Sequence, residues 1–394
     1  MEISRHIIPP SWMTDEAPVK LMKVLGGYKS RPETLYVGGC VRNMLLDRPV
    51  RDIDLATVHH PLKVIEKLKA GGIRYVPSGL DHGTLTAIID DSTFEITTLR
   101  KDIETDGRFA VIAFTDEWEI DARRRDFTIN TLFCSPEGEV FDPTGAGLDD
   151  LEARRVIFVG DPAERLAEDY LRILRFFRFH AEYGEGAADE KALAACKEYA
   201  AKVALLSRER IMQEFLKIIA VSKAHDILSL MFAHDVLTDI GRDYSPAVME
   251  HLCNLQTRHD AVDLMARYFV LTGGSGDFFE DRLIFSNVQK KQVRLLLDSL
   301  PLLSGINMKK IREIVYRFGN GGALQTYFVK LAQKGQAPDL EILDIARYWQ
   351  APEFPVKAEQ LIAAGVSRGP DLGMKLKELE EKWIAKDFPA DFSY

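Results

Sequence analysis

The spacing of apolar positions changes character about two-fifths of the way along the chain. Up to about residue 160, apolar runs are short and broken by glycine and aspartate, which signals turns. Leu35-Tyr36-Val37 is a β-prone run ending in Gly38-Gly39, and Val41 to Leu46 reads as a short helix. Leu55-Ala56-Thr57 reads as a further strand. Thr84 to Ile89 and Phe94 to Leu99 are β-rich stretches around Asp90-Asp91-Ser92, a hairpin signal. Val140-Phe141-Asp142-Pro143 reads as strand then turn. From about Pro162, apolar residues recur at spacings of three and four, as in Leu166, Tyr170, Ile173, Leu174 and Phe177, which predicts a helix. The runs 210–221, 223–232, 261–271, 288–297 and 308–318 behave likewise. The pattern therefore predicts an α+β N-terminal domain followed by an all-helical remainder, with Leu271 to Asp277 as a flexible joint.

Composition adds bounds. The chain has 394 residues, 46% hydrophobic and 28% charged, which excludes disorder and a fibrous repeat and leaves room for two to four domains. The four cysteines, Cys40, Cys134, Cys196 and Cys253, have no zinc or redox spacing and suit a reducing compartment. No apolar run approaches the roughly 18 residues of a membrane span, and neither a signal nor a transit peptide is legible, so a cytoplasmic location is expected. Lys plus Arg number 51 against 60 Asp plus Glu, a net charge of −9 that weighs mildly against nucleic-acid binding.

Local chemistry changes that picture. Gly38-Gly39-Cys40-Val41-Arg42 places a double glycine between strand and helix, where backbone N–H groups can approach phosphate oxygens, with an arginine one turn on. Asp52 and Asp54 follow, two apart on an extended segment, with both carboxylates expected on one side. Paired hard oxygen donors beside a phosphate cradle suit Mg²⁺ held with a nucleoside triphosphate. Either piece alone is a turn or a solvated strand end; their order within 17 residues favours a site. Next comes Arg123-Arg124-Arg125-Asp126-Phe127-Thr128-Ile129-Asn130, a run rich in the residue that binds phosphate bidentately. In Glu168-Asp169-Tyr170-Leu171-Arg172-Ile173-Leu174-Arg175, the residues Asp169, Arg172 and Arg175 are expected along one helix face. Asp accepts and Arg donates hydrogen bonds. Cytosine and adenine both offer an amino donor beside a ring-nitrogen acceptor; uracil and guanine reverse that polarity. One Asp/Arg pair can thus accept C and A and reject U and G, a mismatched buried group costing roughly 1–3 kcal/mol.

Taken together, these three linked motifs resemble the bacterial and eukaryotic class of CCA-adding enzymes, tRNA nucleotidyltransferases that share a superfamily with bacterial poly(A) polymerases. The resemblance is dense over residues 30–180. It implies a polymerase-beta-like nucleotidyltransferase head (1–150), then a helical neck that reads the base (151–220), a helical body (221–300) and a tRNA-binding tail (301–394). It implies template-free addition of C, C and A to the tRNA 3′ end from CTP and ATP, with Mg²⁺. By position, Gly39 and Arg42 would hold the triphosphate, and Asp52 and Asp54 the metal. Arg125 would contact the nucleotide, and Asp169 and Arg172 would read the base. Arg175 and Arg178 would contact nucleotide or RNA end, and Glu95 is a candidate third carboxylate.

Two departures stand out: Asn43 where the family often has Asp, and Asp47 where it usually has Gly. The polar stretch Arg100 to Phe109 corresponds to a mobile loop of the family linked to the change from CTP to ATP. Ser78 to Thr84 looks like the CCA-adding branch rather than the poly(A) branch. Phe285-Ser286-Asn287 and Gly365 to Gly373 resemble weaker body and tail features. Three His-Asp dipeptides, at 225, 234 and 259, lack the spacing of a metal-dependent phosphohydrolase. The rivals are an A-adding tRNA nucleotidyltransferase, a bacterial poly(A) polymerase and a silent RNA-binding module, and the intact Asp52/Asp54 pair speaks against the last. Residues 281–320 carry eight Lys/Arg against three Asp/Glu, so the whole-chain charge hides a local excess of the opposite sign.

Overall fold

The computed structural model describes residues 1–105, 110–238, 240, 243–275 and 283–392. The chain forms two compact units, one of residues 1–214 with 233–236 and one of 215–232 with 237–394.

The first unit is built on strands β1 (Arg5–His6), β2 (Thr34–Val37), β3 (Ile53–Thr57), β4 (Arg74–Gly79), β5 (Thr84–Ile89) and β6 (Ser92–Thr98). Strands β7 (Arg100–Thr105), β8 (Ala110–Phe114), β9 (Phe133–Cys134) and β10 (Glu139–Phe141) follow. Eight of these form a mixed sheet in the order β1-β10-β9-β2-β3-β6-β5-β4, and β7 pairs with β8 separately. Strand β5 alternates buried and half-buried residues, as its Thr-Leu-Thr-Ala pattern dictates. Asp90, at a φ of 51°, turns the chain from β5 into β6. Leu35, Val37, Ala56, Leu99, Ala122, Phe133 and Phe141 form a core cluster. Strand β3 runs antiparallel to β2 but parallel to β6, with Asp54 directly beside Glu95.

Beyond the sheet, helix Pro162–Glu168 begins at Asp161, whose side chain caps it by accepting from the amides of Ala163 and Glu164. Helix Leu171–Tyr183 follows after a break. Phe127 packs against Phe158 and Phe179 at centroid distances of 4.9 and 5.0 Å, and Phe158 stacks on Phe176 at 5.7 Å. The aromatic residue inside the arginine motif thereby pins the helix to the sheet domain.

The second unit is helical. Ser286 caps helix Asn287–Ser299 through a reciprocal box with Gln289, which gives Phe285-Ser286-Asn287 a structural role. Helix Met308–Lys334 kinks at Gly319, whose φ is 76°. Helix Pro370–Ala385 begins after Gly369 and carries Trp383 into a cluster with Ile384 and Phe388.

Some expectations change. The stretch Arg100 to Phe109 is largely strand rather than loop, because β7 pairs with β8; residues 106–109 lie outside the described residues. Of the joint Leu271 to Asp277, the described part shows a helix end with Gly273 and Gly274 at positive φ, and residues 276 and 277 lie outside the description. Strands β1, β4, β8 and β9 escaped the pattern: β4 is mostly exposed and mixed in composition, and β1 and β9 are two residues long.

Candidate functional site

A cavity of about 550 Å³ opens in the first unit. Gly38 and Gly39 line it from the end of β2, Asp54 from β3, and Arg172, Arg175, Arg178 and Phe179 from helix Leu171–Tyr183. Seven arginines face it (Arg42, Arg100, Arg124, Arg125, Arg172, Arg175 and Arg178) against three aspartates (Asp54, Asp126 and Asp169). The local charge is therefore opposite to that of the whole chain and suits a polyanion.

Gly38 has a φ of 68°, which an L side chain resists, and the helix Gly39–Leu45 starts immediately after it. A Cβ on Gly38 would stand 3.4 Å from Nη1 of Arg125, so the glycine also keeps an arginine close to the turn. Arg42 is only 6% exposed. Its hydrogen bonds go to neutral groups: Asn130 Oδ1, Asn43 Oδ1 at 3.2 Å and the Tyr183 hydroxyl at 2.8 Å. Its Nε is buried without a partner, and burial pulls the pKa of the guanidinium below its usual value. Such a charge is costly to bury unless an anion joins it.

Asp54 stands at the cavity's opposite polarity. Burial, then the neighbouring charges of Glu95 and Asp52, push its carboxyl up to about 6 despite Arg125 and Arg42. Asp52 lies one residue before β3, is exposed and does not line the cavity, so the pair is staggered across the strand start. Asp52, Asp54 and Glu95 offer oxygen donors only, and their mutual repulsion is the kind a divalent cation relieves. Among the described residues no three His, Cys, Asp or Glu side chains converge on a metal position by themselves.

The arginine motif proves to be a scaffold as much as a binding surface. Asp121, 1% exposed, accepts from Nε and Nη2 of Arg124 at 2.8 and 2.6 Å and of Arg125 at 3.2 and 2.8 Å. Burial would raise its carboxyl, but Arg125 and Arg124 hold it below the usual range. Asp121 also accepts from the amide of Arg100 at the start of β7. Arg123 is exposed and does not line the cavity. Asp126 accepts from Arg175 Nε and Nη2 at 2.8 and 2.5 Å, and from Asn130 Nδ2 at 2.9 Å. Arg178 donates to Glu214 at 2.5 Å and to Glu182 at 3.2 Å.

Asp169 is not on a helix face. It has an extended backbone, φ −155° and ψ 107°, at the break between helices Pro162–Glu168 and Leu171–Tyr183. A continuous helix would have been needed for the expected i, i+3 row, and the break supersedes it. The break still brings Asp169 and Arg172 to one cavity. Asp169 Oδ1 accepts from the Leu171 amide at 3.1 Å and Oδ2 from Arg210 at 2.7 Å. Arg172 is held by Glu168 and by the carbonyls of Arg165 and Arg124 at 2.9 and 3.1 Å. Sequence reasoning assigned no role to Asp121, Asp126, Asn130, Phe179 or Arg210. The first three sit inside or beside the quoted arginine motif, so their burial was the missing information.

The His-Asp dipeptides form no shared site: His225 pairs with its own neighbour Asp226 at 3.3 Å, and Asp235 pairs with Lys197 at 3.6 Å.

A glycine turn, a basic cavity and a carboxylate pair on a mixed sheet define a nucleotidyltransferase, and residues 34–157 match the family model described as the poly A polymerase head domain. Residues 188–243 match the model described as a probable RNA and SrmB-binding site of polymerase A. The chain is 32% identical to human mitochondrial CCA tRNA nucleotidyltransferase 1 over 377 residues, covering 90% of this chain and 83% of that protein. It is 39% identical over 201 residues to the CCA-adding enzyme of Anoxybacillus flavithermus, covering 50% and 49% of the two chains. The chain belongs to the CCA-adding enzymes, the tRNA nucleotidyltransferases. Its fold agrees with the CCA-adding enzyme of Bacillus stearothermophilus solved in complex with CTP, at a TM-score of 0.75, 22% identity and 95% and 94% coverage. It agrees also with the Thermotoga maritima CCA-adding enzyme complexed with tRNA, at a TM-score of 0.68, 19% identity and 100% and 97% coverage.

Proposed function

We propose that this protein adds C, C and A to the 3′ end of tRNA from CTP and ATP without a nucleic-acid template. The observation that carries the reading is the single cavity that joins Gly39, Arg42, Asp54 and Arg125 with Asp169 and Arg172. That arrangement supports a triphosphate-binding surface next to a paired acceptor and donor for a base.

In this reading residues 1–150 are the catalytic head and 151–220 the neck that selects the base. Residues 221–300 and 301–394 are the body and tail that hold tRNA. The amides around Gly39 and the guanidiniums of Arg42 and Arg125 bind the triphosphate. Asp169 accepts from the amino group shared by cytosine and adenine, while Arg172 donates to their ring nitrogen. Glu168 braces that arginine, which limits its reach and so sharpens the choice. Arg175 and Arg178, each neutralised by a carboxylate, shape the floor and add a screened field for nucleotide or RNA end.

Asp52 and Asp54 would hold Mg²⁺, which when bound supplies positive charge to the reacting phosphate and hydroxyl oxygens. The tRNA 3′ hydroxyl gives up its proton to solvent as its oxygen bonds the α-phosphorus in line, the α–β phosphoanhydride bond breaks, and pyrophosphate leaves. Buried arginines stabilise the charge that develops on the phosphates, and most of the rate comes from positioning. No helix among the described residues is long and apolar enough to cross a membrane, and the four cysteines are free and buried. The free cysteines support work in a reducing compartment such as the cytoplasm.

The test is selectivity of binding. The protein with tRNA lacking its 3′ CCA is expected to bind CTP at least tenfold more tightly than UTP. Equal affinity for the two pyrimidines would refute the base-reading assignment.

A further inference from the structure

Tyr183 closes helix Leu171–Tyr183 and lies outside every motif that marked the site in sequence. Two guanidiniums lie over its ring, with Arg42 Cζ 4.1 Å and Arg48 Cζ 4.8 Å from its centroid. Its hydroxyl accepts from Arg42 Nη2 at 2.8 Å and donates to Asn43 Oδ1 at 3.2 Å. The same Asn43 oxygen accepts from Arg42 Nη2 at 3.2 Å, and Asn43 Nδ2 donates to the Pro49 carbonyl at 3.3 Å. Arg48 donates to the carbonyl of Glu182 at 2.7 Å, so the segment after the glycine-turn helix is tied to the same helix end. On its other side Arg42 donates to Asn130, which donates in turn to Asp126, the partner of Arg175.

Arg42 is thus gripped by a ring, a hydroxyl and two amide oxygens. None of these carries a charge, so the guanidinium is fixed in place while its own charge is left for an incoming anion. A free arginine loses much rotamer entropy when it binds a phosphate, and one already held loses little. Asn43, where the motif often has Asp, accepts from the Tyr183 hydroxyl as a carboxylate could, but only an amide can also donate to the Pro49 carbonyl and leave the cluster uncharged.

We infer that Tyr183, with Asn43, is a positioning residue that presets Arg42 for the triphosphate and thereby couples the base-reading helix to the phosphate-binding turn. The inference rests on the reading that Arg42 holds the triphosphate. That group is common to CTP and ATP, so the effect falls on both alike.

The test is steady-state kinetics of the full-length protein on tRNA primers awaiting C or A, with Tyr183→Phe, Arg42→Ala and the double variant. Tyr183→Phe keeps the ring and removes the hydroxyl. It is expected to raise KM for CTP and ATP by the same factor, about tenfold, equivalent to about 1.4 kcal/mol. The expected kcat stays within about twofold, thermal stability is unchanged, and the substitution adds nothing further in the Arg42→Ala background. Tyr183→Leu, which removes the ring as well, is expected to exceed the Phe variant. An unchanged KM in Tyr183→Phe beside a raised KM in Arg42→Ala would overturn the positioning role alone. An unchanged KM in Arg42→Ala would instead overturn the underlying assignment of Arg42. A rise confined to one nucleotide, or full additivity in the double variant, would also overturn the inference.

Discussion

Replacing Asp126 by Asn tests whether the arginine motif is an internal brace. Its buried carboxylate accepts from Arg175 at 2.8 and 2.5 Å, from Asn130 at 2.9 Å and from the Phe127 amide at 2.9 Å. Burial pushes this carboxyl up, but Arg175, Asn130 and the amide together hold it at about 2, against an ordinary 3.8. At roughly 1.4 kcal/mol per pKa unit, that difference corresponds to about 2 kcal/mol of stability at neutral pH. The folded value is depressed, so this contribution is complete above the unfolded value near 4 and is lost as pH falls through about 2. About half remains at pH 3. Arg175 is 31% exposed at its side chain, so water relieves part of its loss. The expected cost of Asp126→Asn at pH 7 is therefore about 2–3 kcal/mol, below the roughly 3–5 kcal/mol of a fully enclosed broken pair. Native-state hydrogen exchange of peptides from helix Leu171–Tyr183, corrected for intrinsic rates, measures it between pH 7 and pH 3. The gap between wild type and variant should shrink toward pH 3. Equal protection at pH 7, or a gap that widens as pH falls, would refute the reasoning.

Three further outcomes are expected. Asp52→Ala should abolish nucleotide incorporation while tRNA affinity stays within about twofold in a filter-binding assay; retained turnover would remove Asp52 from the metal site. Asp169→Ala should admit UTP or GTP in single-nucleotide extension, since the mismatched pairing it enforces is worth roughly 1–3 kcal/mol. Asp121→Asn should raise KM for CTP and ATP together by about tenfold or more, because each of Arg124 and Arg125 loses charge-assisted bonds worth about 1.5–3 kcal/mol; unchanged KM values would mean that neither arginine needs the brace.

Legibility from sequence varied with the range of the interaction. The glycine turn, the hairpin at Asp90-Asp91 and the change to helical periodicity near Pro162 are local, and the structure has each of them. The halves of the cavity were also legible as motifs, because phosphate chemistry demands recognisable residue types. Their division of labour was not. Arg124 and Arg125 look alike in sequence as phosphate ligands, yet both close on Asp121. Arg178 looked available and instead lies buried against Glu214, 36 residues on. Asp169 seemed to continue a helical row, and the break at that residue, with Arg210 bonded to it from 41 residues away, has no local signature. Tyr183 reaches Arg42 across 141 residues and could not be paired with it from spacing. Charged partners distant in sequence decide which arginines remain for substrate, and spacing rules cannot supply that.

The central claim, template-free addition of C, C and A, is tested most directly by extending one tRNA that lacks its 3′ CCA with the four nucleotides singly and in pairs. Products resolved to one nucleotide should show CC from CTP alone and growth to CCA, then a stop, from CTP with ATP. UTP and GTP should give nothing. A long adenylate tail from ATP alone, or extension that needs an added complementary strand, would contradict the account.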